Sequence, residues 1–217
     1  MFRLQYIYYL LMLACFIRSL FYIKFYRVRL LALLLLISVI TEIMVEICIY
    51  KKMNYYIFYH FFNICEYTFI TLILYDCIPY HPVKKAMQIS IPVFAAISVL
   101  ITLNLQDVLK LPSISNSIEG LLVITWCLTT MWSIEPIDER SIFRRSSFWI
   151  ALAFFVYFIG TLPFNAIYNS MMAVKSMKIS TRVNFSIINS IGNYGLYILL
   201  LIGLSQYRWK KSIQPLS

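Results

Sequence analysis

Apolar residues run almost without a break through seven stretches of the chain, at 4–23, 30–50, 54–76, 86–105, 113–133, 147–169 and 184–206. A helix rises about 1.5 Å per residue, so some 20 apolar residues match the roughly 30 Å hydrocarbon core of a bilayer. A membrane β-barrel would instead show polar alternation in runs of about ten, which these stretches lack. The pattern predicts an all-α fold, a polytopic membrane helix bundle of seven transmembrane helices, with residues 1–217 forming a single integral membrane domain. Tyr50, Tyr55, Tyr56, Tyr80, Trp132, Trp149, Tyr207 and Trp209 crowd the ends of the stretches, as expected of an interfacial aromatic belt. Two prolines inside the stretches, Pro92 and Pro163, predict kinks in helices four and six.

Composition agrees with this pattern. The 217 residues are 61% hydrophobic and 13% charged, too little polar surface to coat a soluble globule. The net charge of +10 would point to nucleic acid in a soluble protein. Here the basic residues sit in short clusters between apolar runs: Lys24, Arg27 and Arg29; Lys51 and Lys52; Lys84 and Lys85; Arg208, Lys210 and Lys211. Clusters so placed meet lipid headgroups and set topology, so the expected partner is the lipid bilayer and no specific nucleic-acid binding is expected. Loops 1–2, 3–4, 5–6 and the C-terminus together hold 11 Lys and Arg, against 7 for the N-terminus and the other loops. The positive-inside rule then puts the C-terminus in the cytoplasm and the N-terminus outside. The inner loop from Glu135 to Arg145 mixes both charge signs and reads either as a partner contact or as a solvated turn.

Cys15, Cys48, Cys65, Cys77 and Cys127 are scattered singly without a C-x-x-C pair. They read as small buried apolar residues, not as a disulfide frame or zinc site. The first stretch carries Arg18 and lacks a small-residue cleavage site before Lys24, so it reads as a retained span and not a secretory signal.

The few polar residues inside the spans are not spread evenly. Ser38, Glu42 and Glu46 form an i, i+4 series late in span two, and His60, Asn63 and Glu66 an i, i+3 series early in span three. Lys51 to Met53 join these spans, so they run antiparallel and their polar stripes can face one another. Asn116 and Glu119 open span five, Asn165 and Asn169 close span six, and Ser186, Asn189, Ser190 and Asn193 line the start of span seven. All lie toward loops 2–3, 4–5 and 6–7. The opposite half is more apolar, with Arg18 and Asp76 as its main ionisable exceptions and a candidate pair.

A charge at the centre of a span costs about 2.5–3.5 kcal/mol on insertion scales, so four glutamates inside spans argue for a shared polar interior. One histidine against four carboxylates makes that interior acidic, and at least one glutamate is expected to hold its proton or meet a cation. Three readings compete: structural glue between helices, a pocket for a small ligand, cation or proton, and a metal centre. The last is disfavoured because H-E-x-x-H is absent, and neither a metal nor another cofactor is expected.

Missing signatures narrow the field further. No lysine lies within span seven to carry retinal, and His60 and His81 are the only histidines, too few for a zinc-dependent seven-span hydrolase. There is no Gly-x-Ser-x-Gly and no phosphate-binding glycine loop, so no catalytic constellation emerges and the reading leans away from an enzyme.

Glu42 or Glu46 late in span two, Asn63-Ile64-Cys65-Glu66 in span three, Phe148-Trp149-Ile150 opening span six and the Asn-rich span seven carry a resemblance that covers most of the chain. In these features it resembles small multipass bacterial membrane proteins common among Bacteroidota, similar in turn to seven-span input modules of sensor histidine kinases. The resemblance implies a multi-pass protein of the bacterial cytoplasmic membrane. Because the chain ends at Ser217 without a kinase, it also implies a cytoplasmic signalling partner acting in trans, or a homo-oligomer. The leading expectation is a sensory or regulatory membrane protein whose outer polar pocket binds a small ligand, cation or proton. The alternatives are a small transporter or channel, disfavoured by the one-sided polarity and the lack of an evident inverted repeat, and an accessory oligomeric membrane protein of a phage-defence system.

Overall fold

The computed structural model describes residues 2–105, 108–134, 142–173 and 191–207, with side chains described from residue 7 onward and, in the third segment, as far as 166. Among the described residues every regular element is helical. They are α1 (Phe2–Leu20), α2 (Tyr26–Tyr50), α3 (Tyr56–Tyr75), α4 (His81–Asn104), α5 (Ser113–Trp132), a 3-10 turn at Ile142–Arg144 and α6 (Ser146–Ala173). A final helix, α7, covers 191–207. Four helical stretches are long and apolar enough to cross a membrane: Tyr26–Tyr50, Tyr56–Tyr75, His81–Asn104 and Ser146–Ala166; Ile7–Leu20 forms a shorter apolar helix. α5 is as long as α3, but its first two turns, Ser113 to Glu119, are too polar for it to join that group.

The short link between α2 and α3 has a definite geometry. Lys52 takes a positive φ of 56°, and Met53 N donates to Cys48 O at 2.8 Å. This six-to-one closure caps the carbonyls at the end of α2 and turns the chain back on itself. Glycine is the usual residue at that left-handed position; here Lys52 takes it, and α2 stops at Tyr50, where the apolar run at 30–50 ends. α4 and α6 run unbroken through Pro92 and Pro163.

Side-chain pairings fix the relative direction of the helices. Tyr67 meets Ser90 and Asn63 meets Ser98, so α3 and α4 are antiparallel. Asn63 meets Asn116 while Trp126 meets Tyr67, so α3 and α5 are parallel. α6 and α7 run antiparallel at close range: a Cβ on Gly160 would lie 3.7 Å from Gly192 Cα, and one on Gly203 only 3.1 Å from Trp149 Cβ and 3.3 Å from Ile150 Cγ1. Small residues permit this approach, and in a bilayer such packing, not hydrophobic exclusion, holds helices together.

Ile70, Ile73, Leu74, Ile78, Met87, Phe94, Ile150 and Leu200 form a fully buried apolar core. Leu10, Ile43, Leu100, Leu121, Ile159 and Ile198 project outward from six different helices. An apolar surface on every side, around an interior that also buries Asn63, Ser98, Ser115 and Glu119, is the distribution a bilayer demands and water does not.

Candidate functional site

Helix directions bring the end of α2, the starts of α3 and α5 and the end of α4 to one end of the bundle. The polar side chains there divide into three groups. The most buried centres on Asn63 of α3, which is 3% exposed. Its Nδ2 donates to Asn116 Oδ1 at 3.0 Å and, through a short contact, to Glu119 Oε2, while its Oδ1 accepts from Ser98 Oγ at 3.1 Å. One amide therefore ties α3 to both α4 and α5. Glu119 is 2% exposed; among the described residues its other oxygen, Oε1, has no hydrogen-bond partner, and neither does the buried Ser115 hydroxyl one turn earlier on α5. Glu66, half-buried one turn beyond Asn63, lies within electrostatic reach of Glu119, as does Tyr157 of α6.

The second group joins α1 to α2. Tyr8 donates its phenol to Glu42 Oε1 at 3.1 Å, and Tyr9 donates to Glu46 Oε1 at 2.9 Å. Glu42 is half-buried and Glu46 exposed. The Tyr8 ring also packs edge-on against Tyr197 of α7, with centroids 5.6 Å apart. The two glutamates thus turn toward α1, whereas Asn63 turns toward α4 and α5. The expected face-to-face meeting of the α2 and α3 stripes is not how these residues pair. Ridge packing fixes the rotation of each helix about its own axis, and turn length constrains only direction.

The third group is a latch at the mouth. His60 Nδ1 lies 3.0 Å from Thr102 Oγ1, and Nε2 lies 3.0 Å from the Lys110 carbonyl oxygen. Asn54 Nδ2 donates to Leu109 O at 3.0 Å. One ring nitrogen of His60 is engaged by the last turn of α4 and the other by the α4–α5 connection, so the imidazole serves this junction and not the carboxylates. Among the described residues no group of three His, Cys, Asp or Glu side chains is arranged to hold a metal ion.

Of the other candidates, Asn165 and Asn193 are half-buried in α6 and α7. The backbone of Asn169 belongs to α6 but its side chain lies outside the described residues, as do Ser186, Asn189 and Ser190 entirely. Sequence reasoning passed over Ser98, Ser115, Tyr8 and Tyr157. Tyr8 was legible in principle, since a phenol six residues past the start of α1 sits near the depth of Glu42, eight residues before the end of α2, in an antiparallel pair. Ser98 and Ser115 gave no signal, because a serine in a membrane helix commonly bonds its own backbone.

At the other end of the bundle the arrangement is different. Arg27 Nη2 meets Asp76 Oδ2 at 2.9 Å and Asp76 O at 3.1 Å, its Nε reaches Asp76 Oδ2 at 3.2 Å, and its Nη1 donates to Ser147 Oγ at 2.6 Å. This clamp joins the start of α2, the end of α3 and the start of α6. Beyond the end of α3, burial pushes the Cys77 thiol up from its ordinary value, while the Arg27 cation opposes the rise. The partner of Asp76 is thus Arg27 and not Arg18, which instead lies over the Tyr22 ring at 5.6 Å. A guanidinium can engage a carboxylate with two nitrogens and a third group besides, and Arg27 is the arginine whose helix starts beside Asp76.

No protein-family model, no curated protein and no solved structure matches the chain. The helices and their apolar exterior define its class: a helical membrane protein with a buried acidic and amide-rich centre near one end.

Proposed function

We propose that the chain is a sensory or regulatory protein of the bacterial cytoplasmic membrane, a seven-span bundle with its N-terminus outside. Its polar centre around Asn63, Glu66 and Glu119 takes up a proton, cation or small ligand and alters the bundle. The observation that carries this reading is Glu119 Oε1, a buried carboxylate oxygen without a partner. Buried polar atoms are nearly always hydrogen-bonded, and an orphan marks a place where something else binds or where a function is served. Structural glue would leave no such atom, because its role is to satisfy the groups it joins. In this reading the change leaves through the Arg27 clamp, which ties α2 and α3 to the start of α6 and so to the basic Arg144–Arg145 segment, where a partner in trans would dock.

The test uses the protein in lipid nanodiscs between pH 5 and 8. Trp126 lies two turns from Glu119 on α5 and donates to Tyr67 at 3.1 Å, so its fluorescence reports on the centre, and trypsin cleavage after Arg144 reports on the loop. Both signals should change with pH in the wild-type protein and be flat in Glu119→Gln and Glu66→Gln. Wild-type responses in both variants would reject the proposal.

A second reading, a transporter, draws on the continuation of the buried polar stripe down α3. Below Asn63 come Tyr67, which donates to Ser90 at 2.7 Å, and Thr71, whose buried hydroxyl has no partner. Against it stand Ile70, Ile73 and Leu74, each fully buried, which close the way to the far end. Ion or proton flux in proteoliposomes that disappears in Glu119→Gln would favour it.

A further inference from the structure

We infer that the α3–α4–α5 centre is a site for a dehydrated monovalent alkali cation of sodium size, bound through Glu119 and Ser115 in competition with protons. The inference deepens the reading of this centre as a binding site and rests on it.

Two buried oxygens without hydrogen-bond partners among the described residues lie one turn apart on the same face of α5: Glu119 Oε1 and Ser115 Oγ, each in a residue 2% exposed. Residues four apart on a helix have Cβ atoms about 6 Å from one another, so both side chains reach one volume. Asn116 Oδ1, beside them, accepts one hydrogen bond from Asn63 and keeps a second lone pair. These ligands are all hard oxygens, the set preferred by alkali and alkaline-earth ions and not by zinc, copper or iron.

Charge decides between monovalent and divalent. The titratable groups facing Glu119 are Glu66 from α3 and Tyr157 from α6; among the described residues no Lys or Arg pairs with either carboxylate. Two carboxylates without a basic partner need two positive charges for neutrality, supplied by two protons, by one proton and one monovalent cation, or by one divalent cation held by both carboxylates. Among the described residues Glu119 is hydrogen-bonded into the cluster and Glu66 is not. The free ligands therefore carry one formal negative charge, and the Asn63 amide directs its hydrogens toward Glu119. Both features suit a singly charged ion better than calcium, which gathers several carboxylates.

The experiment measures binding of radioactive sodium to the full chain in nanodiscs at pH 8, with calcium tested separately. One saturable site per chain is expected, displaced by lithium and insensitive to choline, with affinity falling about tenfold for each pH unit once protons compete for the same carboxylate. Glu119→Gln should abolish binding. Ser115→Ala should weaken it about tenfold, the effect of losing one ligand hydroxyl, and it carries the test should Glu119→Gln fail to accumulate. Ser205→Ala, on the far half of α7, should bind as the wild type does. Absence of saturable sodium binding in a protein whose Glu119-dependent pH response is intact would overturn the cation while leaving the reading of the centre in place. Absence of both would overturn both. Unchanged sodium binding in Glu119→Gln and Ser115→Ala, or a preference for calcium, would also overturn the inference.

Discussion

The two ends of this bundle handle carboxylates in opposite ways. Asp76 meets a guanidinium, with Arg27 contributing three bonds to it and a fourth to Ser147. Among the described residues Glu42, Glu46 and Glu119 meet only phenols and an amide, from Tyr8, Tyr9 and Asn63. An ion pair is complete without further help, since each charge answers the other. A carboxylate held by neutral donors keeps a net charge unless a proton or cation joins it, and removing that charge from water is costly in a low-dielectric interior. The first arrangement suits a fixed joint, and the second suits a centre whose occupancy changes.

Three substitutions, in decreasing order of effect, would break or sharpen this contrast. Asn63→Leu removes the amide that serves Ser98, Asn116 and Glu119 together and leaves two buried groups and the half-buried Asn116 without it. A loss of about 2–4 kcal/mol is expected, measured as the shift in denaturation midpoint of the protein in mixed micelles. The loss should be the same at low and high salt, because the centre is buried; a strongly salt-dependent loss would place the centre in water and undo the contrast.

Arg27→Met should cost less, about 1–2 kcal/mol, because the Asp76 side chain is 43% exposed and its attraction to Arg27 is partly screened. Here salt does matter. In 1 M salt the difference between variant and wild type should shrink toward the contribution of Ser147 alone. An equal difference at both salt concentrations would show that the clamp works by packing and not by charge.

The smallest effects belong to the tyrosines. Tyr8→Phe should cost about 0.5–1 kcal/mol, in the range of single interhelical hydrogen bonds in membranes, and Tyr9→Phe at the exposed Glu46 less. A double-mutant cycle of Tyr8→Phe with Glu42→Gln isolates the coupling. A coupling near zero would mean that Glu42 is solvated from elsewhere and that α1 has no part in the polar end.

The helices themselves were legible because hydropathy is a property of the chain read in one dimension. Bilayer thickness sets the length of a span, and the runs at 30–50 and 54–76 needed only small adjustment to become α2 and α3. The same reading placed Glu42, Glu46, His60, Asn63, Glu66, Asn116 and Glu119 toward one end, because depth follows from position along a helix of known rise. α5 shows where hydropathy weakens: the polar residues that build the centre are the ones that make Ser113–Glu119 look least like a membrane segment.

Rotation was not legible. Turning a helix about its axis leaves its length, hydropathy and depth unchanged but exchanges every side-chain partner. Only the packed bundle sends Glu42 to Tyr8 and not toward the α3 stripe, gives Asp76 to Arg27 and not to Arg18, and brings Ser98 and Ser115 to Asn63 and Glu119. The sequence by itself determined a helical membrane protein with an acidic end. The tertiary structure decided which carboxylates are satisfied and which oxygen of Glu119 is left unpaired, because side-chain pairing depends on the angular setting of helices that hydropathy does not encode.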